Sequence, residues 1–219
     1  MRYVINTFLS SNLKDTLRAC ISAKMGVELH YSHTKEQEPL LEKVGINSIE
    51  GDVRDYKYLI FFAHNAGADY VLFHPEKNEL KKMREIIKEG MGKGVNIAIE
   101  NNFDWGRTPT DIYRITKEIE GLQFVFNPAI AKECSLNPGG FLKIVREKII
   151  GVNISDFYRG ISGLPYSLGE SDFLDPVIDE FRDSKIPFVI KLESKYDVND
   201  ALISIDKLKS RARELKKIK

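Results

Sequence analysis

Acidic, imidazole and amide side chains recur where short apolar runs of this sequence come to an end. They are Glu28 and His30, Glu50, His74, Glu100 with Asn101 and Asn102, Asn127, Asn153 with Asp156, and Glu193. A carboxylate that closes a buried strand is costly unless it is paired, holds a metal or carries protons. Several of them gathered at one end of a sheet would form a proton-transfer or cation site. Cys20 and Cys134 are too few and too distant in sequence to form a metal or redox motif, and both read as small buried residues. His30 and His33 are separated by two residues, a spacing that strand alternation does not bring to one face, so they do not read as a ligand pair.

The runs that carry these residues have the character of buried strands. They lie at 2–7 (RYVINT), 27–32 (VELHYS), 46–50 (INSIE), 70–74 (YVLFH), 95–100 (VNIAIE), 123–127 (QFVFN), 149–154 (IIGVNI) and 187–193 (PFVIKLE). Between them apolar residues recur at helical spacing, as in Leu80, Met83, Ile86 and Ile87, then Ile112, Ile115 and Ile119, then Phe173, Val177, Ile178 and Phe181. A last helix from Asp197 carries Ala201, Leu202, Ile205, Leu208 and Leu215 on one face. It ends in Lys216, Lys217 and Lys219, which suit a helix C-terminus better than a nucleic-acid patch.

Apolar strands that alternate with amphipathic helices specify a parallel sheet covered on its outer face. Eight such units in 219 residues predict a single α/β domain over 1–219, a (β/α)8 TIM barrel near the minimal length, with about 27 residues per unit. One helix, around 35–44, has to be reduced. A doubly wound open sheet is the structural alternative, but 8–12 (FLSSN) lacks the glycines a dinucleotide fold places after its first strand. In a parallel barrel the site forms at the C-terminal ends of the strands, where the polar residues above fall.

Composition narrows the classes further. The chain is 42% hydrophobic and 30% charged, and 33 Lys and Arg against 32 Asp and Glu leave a formal charge of +1. That balance gives no general reason to bind nucleic acid or an anionic membrane. No apolar stretch approaches membrane-spanning length, and the opening MRYVINTFLSSNLKD is polar too early for a signal peptide, so the expected location is the cytoplasm. The high charged fraction and the presence of only two glutamines, Gln37 and Gln123, lean towards a thermophilic source.

The segments ADYVLFHP (68–75), VNIAIENN (95–102), IIGVNISDFYRG (149–160), GLPYSLGES (163–171) and IPFVIKLES (186–194) resemble the xylose isomerase-like TIM barrel superfamily. It includes sugar and sugar-phosphate isomerases and epimerases and the endonuclease IV group, and the resemblance runs through nearly the whole chain in order. In the epimerase branch one divalent metal is held by Glu, Asp, His and Glu, and the two glutamates exchange the substrate proton. By motif, the resemblance implies Glu100 and Glu193 as the catalytic glutamates, with Asn127 and Asn153 where the family has Asp and His. The implied metal set is therefore Glu100, Asn127, Asn153 and Glu193. Lacking one charge and a nitrogen donor, it would hold magnesium, manganese or calcium weakly or hold no metal.

The resemblance further implies that Arg159 reaches substrate oxygens or a phosphate, that His74 of the FHP run sits at the site, and that Asp156 and Glu170 occupy familiar acidic positions. Asn102 and Trp105, in the NNFDWGR loop, would form a wall against a sugar ring. The expected ligand is a small polyhydroxylated or phosphorylated metabolite; the sequence sets no oligomeric state. Three functions follow as alternatives: a sugar or sugar-phosphate isomerase or epimerase, a non-catalytic or metal-free metabolite-binding barrel, and an endonuclease IV-like phosphodiesterase. The last has few of its zinc ligands here, since Glu50, Asn127, Ile130, Asn153, Gly163 and Pro165 stand at most of the ligand positions.

Overall fold

In the computed structural model, which describes residues 1–8, 12–36, 39–102 and 104–218, every one of the eight apolar runs forms a strand. They are β1 (Arg2–Asn6), β2 (Gly26–His30), β3 (Ile46–Gly51), β4 (Tyr70–Phe73), β5 (Asn96–Glu100), β6 (Leu122–Phe126), β7 (Ile149–Ile154) and, after an inserted hairpin of β8 (Asp156–Tyr158) and β9 (Ile161–Leu164), β10 (Pro187–Ile190). The sheet closes as β1-β10-β7-β6-β5-β4-β3-β2, with every neighbour parallel. The protein is a single (β/α)8 TIM barrel.

The helices that cover the barrel are α1 (Leu13–Ala23), α2 (Tyr56–Ala66), α3 (Met83–Lys93), α4 (Pro109–Glu118), α5 (Pro128–Glu133), α6 (Pro138–Val145), α7 (Asp175–Phe181) and α8 (Val198–Ile218). Their ends are written in local chemistry. Thr108 and Asp111 form a reciprocal capping box with Pro109 in the first turn of α4. Gly67 and Gly94 take positive φ, 67° and 70°, to end α2 and α3. The reduced helix is a 3-10 turn at Pro39–Lys43; Gln37 and Glu38 lie outside the described residues. Cys20 and Cys134 are buried free thiols, as their setting implied.

Strand alternation divides the side chains into two sets. Ile5, Val27, Leu29, Ile49, Val71, Phe73, Ile97 and Ile99 face the helices in the main core. The other parity fills the barrel: Tyr70, Leu72, Ala98 and Val125 pack as a separate apolar floor. Above it the same parity carries Asn6, Glu28, Ser48, Glu50, Glu100 and Asn153, all buried. Gly151 makes room for this floor, because a Cβ there would lie 2.7 Å from the Tyr70 hydroxyl oxygen.

Two features depart from the sequence reading. The last barrel strand stops at Ile190 rather than Glu193, although the Lys191 amide still donates to the Ile154 carbonyl at 3.1 Å. Beyond it the chain is held by the hairpin, whose Gly163 carbonyl accepts from the Glu193 amide at 2.9 Å. The hairpin itself was not anticipated. Its turn, Arg159–Gly160, has positive φ at both positions (48° and 83°), the primed geometry that suits tight antiparallel ribbons and favours glycine at one of the two.

Candidate active site

The polar layer at the C-terminal mouth of the barrel is one connected network. The Asn6 amide donates to Glu28 Oε1 at 2.9 Å and to Glu50 Oε2 at 2.7 Å, so a single side chain on β1 ties β2 to β3. The Ser48 hydroxyl donates to the other oxygen of Glu28 at 2.8 Å. Across the barrel, the amides of Asn127 and Asn153 both donate to Glu100 Oε1, at 2.9 and 2.6 Å. Lys191 and His74 join the two halves. The ammonium lies 2.6 Å from Glu50 Oε1 and 3.6 Å from Glu100 Oε2, and His74 places Nε2 2.7 Å from Glu50 and Nδ1 3.7 Å from Glu100.

Charge is distributed unevenly within this network. Burial opposes ionisation of Glu50, but the Lys191 ammonium and the His74 imidazole together hold its carboxyl well below the usual carboxylate range. Burial likewise works against the Lys191 ammonium, and the carboxylates of Glu100, Glu50 and Glu28 outweigh it and keep the lysine charged. Desolvation in the mouth pulls His74 down, yet its hydrogen bond to Glu50 and the charges of Glu50 and Glu100 leave it above the ordinary imidazole value. Glu28, fully buried and next to Glu50, is pushed up to about 7, with Lys191, Ser48 and Asn6 only partly offsetting the rise.

That rise has a measurable consequence. Glu28 binds its proton more tightly in the fold than in the unfolded chain, so its stabilising contribution is complete below about pH 4.5 and is lost as pH climbs through 7. Glu28→Gln is expected to flatten this pH dependence and to make the protein more stable than the wild type above pH 7, by on the order of 3 kcal/mol. Urea unfolding at pH 5 and pH 8 checks it; equal losses in both proteins would show that Glu28 is ionised without cost.

The residues singled out in the sequence separate into groups. His74 lies at the network and, with Asn102 and Trp105, lines a cavity of about 520 Å³ over β4 and β5. Trp105 is nearly buried and anchored by its indole N–H to the Pro75 carbonyl at 2.8 Å. The Asn102 side-chain oxygen Oδ1 accepts from the backbone amides of Asp104, Trp105 and Gly106, which shapes the loop that carries the indole. Asp156 is buried and spends its carboxylate on the amides of Phe157, Ser167 and Gly169 and on the Ser171 hydroxyl, so it orders the loop that passes over it. Glu170 pairs with Lys132 at the surface. Arg159 sits at the exposed hairpin tip over the Tyr158 ring, 5.0 Å from its centroid.

Glu193 is not drawn into the network: its carboxylate, 40% exposed, pairs with Lys195 at 2.6 Å. The inward position on that strand belongs to Lys191, which the sequence reading passed over. Counting by twos from the buried Val189 gives Lys191 before Glu193, and this parity was the signal available. Asn6 and Ser48 were also missed, because each lies inside its apolar run rather than closing it.

The donor set does not fit the divalent metal of the resemblance. Asn127 and Asn153 turn N–H groups, not carbonyl oxygens, towards Glu100, and the Asn127 oxygen caps α5 by accepting from Ala129 and Ile130. One acceptor, Asn153 Oδ1, is buried without a partner. Among the described residues no three His, Cys, Asp or Glu side chains are grouped so as to hold a metal ion.

No protein-family model matches the sequence, and no curated protein does either. Solved structures match its fold over nearly its whole length. The probable 3-DHS dehydratase AsbF from Bacillus anthracis, involved in petrobactin synthesis, superposes with a TM-score of 0.77 at 14% identity, covering 99% of each chain. A xylose isomerase-like TIM barrel protein from Mycobacterium smegmatis, in complex with magnesium, gives 0.70 at 12% identity over 98% of this chain and 97% of its own. D-allulose 3-epimerase from Methylomonas sp., in complex with D-allulose, gives 0.70 at 12% identity over 99% and 96%. The chain thus shares the TIM-barrel fold of these proteins over nearly its whole length. Among the described residues no helix is long and apolar enough to cross a membrane.

Proposed function

We propose that this protein is an isomerase or epimerase of a small polyhydroxylated or phosphorylated metabolite, moving a proton at a carbon next to a carbonyl. The observation that carries the reading is His74: its two ring nitrogens address two buried carboxylates, Glu50 and Glu100, while the ring itself is 43% exposed on the cavity that Trp105 walls. A ring that is hydrogen-bonded to Glu50 through Nε2, with Nδ1 free of a hydrogen bond among the described residues and 3.7 Å from Glu100, and that is open to a pocket, is placed to accept and return a proton at Nδ1. The fold it shares with a D-allulose-bound epimerase supports this choice of substrate class.

In this reading Glu100 keeps the role its motif implies, and His74 takes the part of second proton carrier in place of Glu193. The reason is distance and engagement: His74 Nδ1 lies 3.7 Å from Glu100, whereas Glu193 is bound by Lys195 at the rim. Arg159, on the exposed turn, is the residue for an anionic group of the substrate.

Solvent-proton exchange tests the reading directly. Incubation with a panel of aldoses, ketoses and their phosphates in deuterated water, followed by mass spectrometry, is expected to show single deuterium incorporation into at least one compound. His74→Asn is expected to slow that exchange about 10²- to 10³-fold with an unchanged circular dichroism spectrum. Thermal stabilisation by a panel compound with no exchange would overturn the catalytic reading in favour of a metabolite-binding barrel.

A further inference from the structure

We infer that Lys191 stands in this barrel where a divalent cation would otherwise be required, so that the site works with a covalently tethered positive charge and without a metal. The inference begins with the carboxylates. Glu50 and Glu100 are both buried, on strands β3 and β5, and a pair of buried carboxylates needs a cation between them. The ammonium of Lys191 is that cation, at 2.6 Å from one and 3.6 Å from the other. The amides around Glu100 are turned to suit the arrangement, since Asn127 and Asn153 donate to the oxygen that Lys191 does not approach. A metal ion would ask the opposite of them, carbonyl oxygens facing inward.

The lysine also has a free side. About a quarter of its side chain (26%) is exposed at the mouth, so with one ammonium hydrogen on Glu50 and one towards Glu100 a third remains for an oxygen of a bound molecule. Its catalytic half rests on the proposed proton transfer. When the C–H bond next to the substrate carbonyl breaks, the proton passes to the His74–Glu100 pair and the electron pair moves onto the carbonyl oxygen. The remaining Lys191 N–H meets the negative charge that develops there. Return of the proton to carbon sends the pair back, and nothing is oxidised or reduced. A fixed ammonium offers one charge and hydrogen bonds where a metal offers two charges and a coordination geometry. The substrate class it suits is therefore a monocarbonyl polyol, for which one anionic oxygen has to be stabilised.

Manganese binding, followed by electron paramagnetic resonance on the purified protein, reads the ammonium's place independently of any substrate. The wild type is expected to leave manganese free up to about 1 mM, well above the working range of a dedicated site. Lys191→Met, which leaves the buried carboxylates of Glu50 and Glu100 without the cation between them, is expected to attract manganese by charge at least about tenfold more tightly than the wild type. Stoichiometric micromolar binding by the wild type, or no gain in the folded Lys191→Met protein, would overturn the inference. Lys191→Arg guards against a folding failure: it keeps the charge, so it is expected to stay folded and, like the wild type, to leave manganese free. If manganese binds as expected but no sugar exchanges deuterium, the isomerase reading fails and the tethered-cation assignment stands.

Discussion

Glu100→Gln is expected to lower the rate of deuterium exchange about 10³-fold while the protein still folds. Glutamine keeps an oxygen to accept from Asn127 and Asn153, which donate at 2.9 and 2.6 Å, so the local packing survives. What it loses is the negative charge facing His74 Nδ1 and Lys191, and with it the balance that sets the proton carrier and the cation in place. Glu193→Gln is expected to change the rate less than about threefold, because a partly exposed pair such as Glu193 with Lys195 contributes little and lies outside the network. Single-turnover exchange measured on both variants decides between them. Equal loss in the two would restore Glu193 as a proton carrier, and loss in Glu193→Gln alone would remove Glu100 from the mechanism.

The second large effect concerns Asp156, whose carboxylate holds the loop between the hairpin and α7. Asp156→Ala is expected to destabilise the protein by about 4 kcal/mol, since it leaves the amides of Phe157 and Gly169 without their acceptor in a buried setting. The amide of Ser167 has a second acceptor in the Ser171 hydroxyl at 2.9 Å and loses less. Asp156→Asn is expected to cost about half as much, retaining one acceptor oxygen but setting an N–H group against backbone donors. Chemical denaturation of the two variants measures both values. A cost below about 1 kcal/mol for alanine would mean that the carboxylate is not the organiser of this loop.

These two residues show how far the chain could be read before its structure. Both are strand-end acids in the same list, and the resemblance places both on acidic positions of the family. The difference between them comes from the loop that returns over Asp156 from residues 167 to 171 and takes its oxygens, a contact across 11 to 15 residues that no local pattern encodes. Glu100 meets instead two amides that arrive from β6 and β7. Asn127 and Asn153 show the same limit. Their positions at the strand ends were legible, but the direction in which each amide points follows from which acid stands opposite.

What the sequence by itself determined is the barrel: eight apolar runs, helical stripes between them, caps such as Thr108 with Asp111, and a set of polar residues at one end. These are local properties of period two and period 3.6, and each is present within a single segment. Only the tertiary structure decided the membership of the site. Closure brings β1 beside β10, which places Ile5 level with Ile190 although 185 positions separate them in the chain, and it sets Glu50 against Lys191 across 141. A buried carboxylate takes whatever cation closure delivers to it, because leaving its charge unpaired costs far more than any local preference can offset. The sequence contains every charge of the centre, and the geometry of the closed sheet selects Lys191 rather than Glu193 as the residue that faces it.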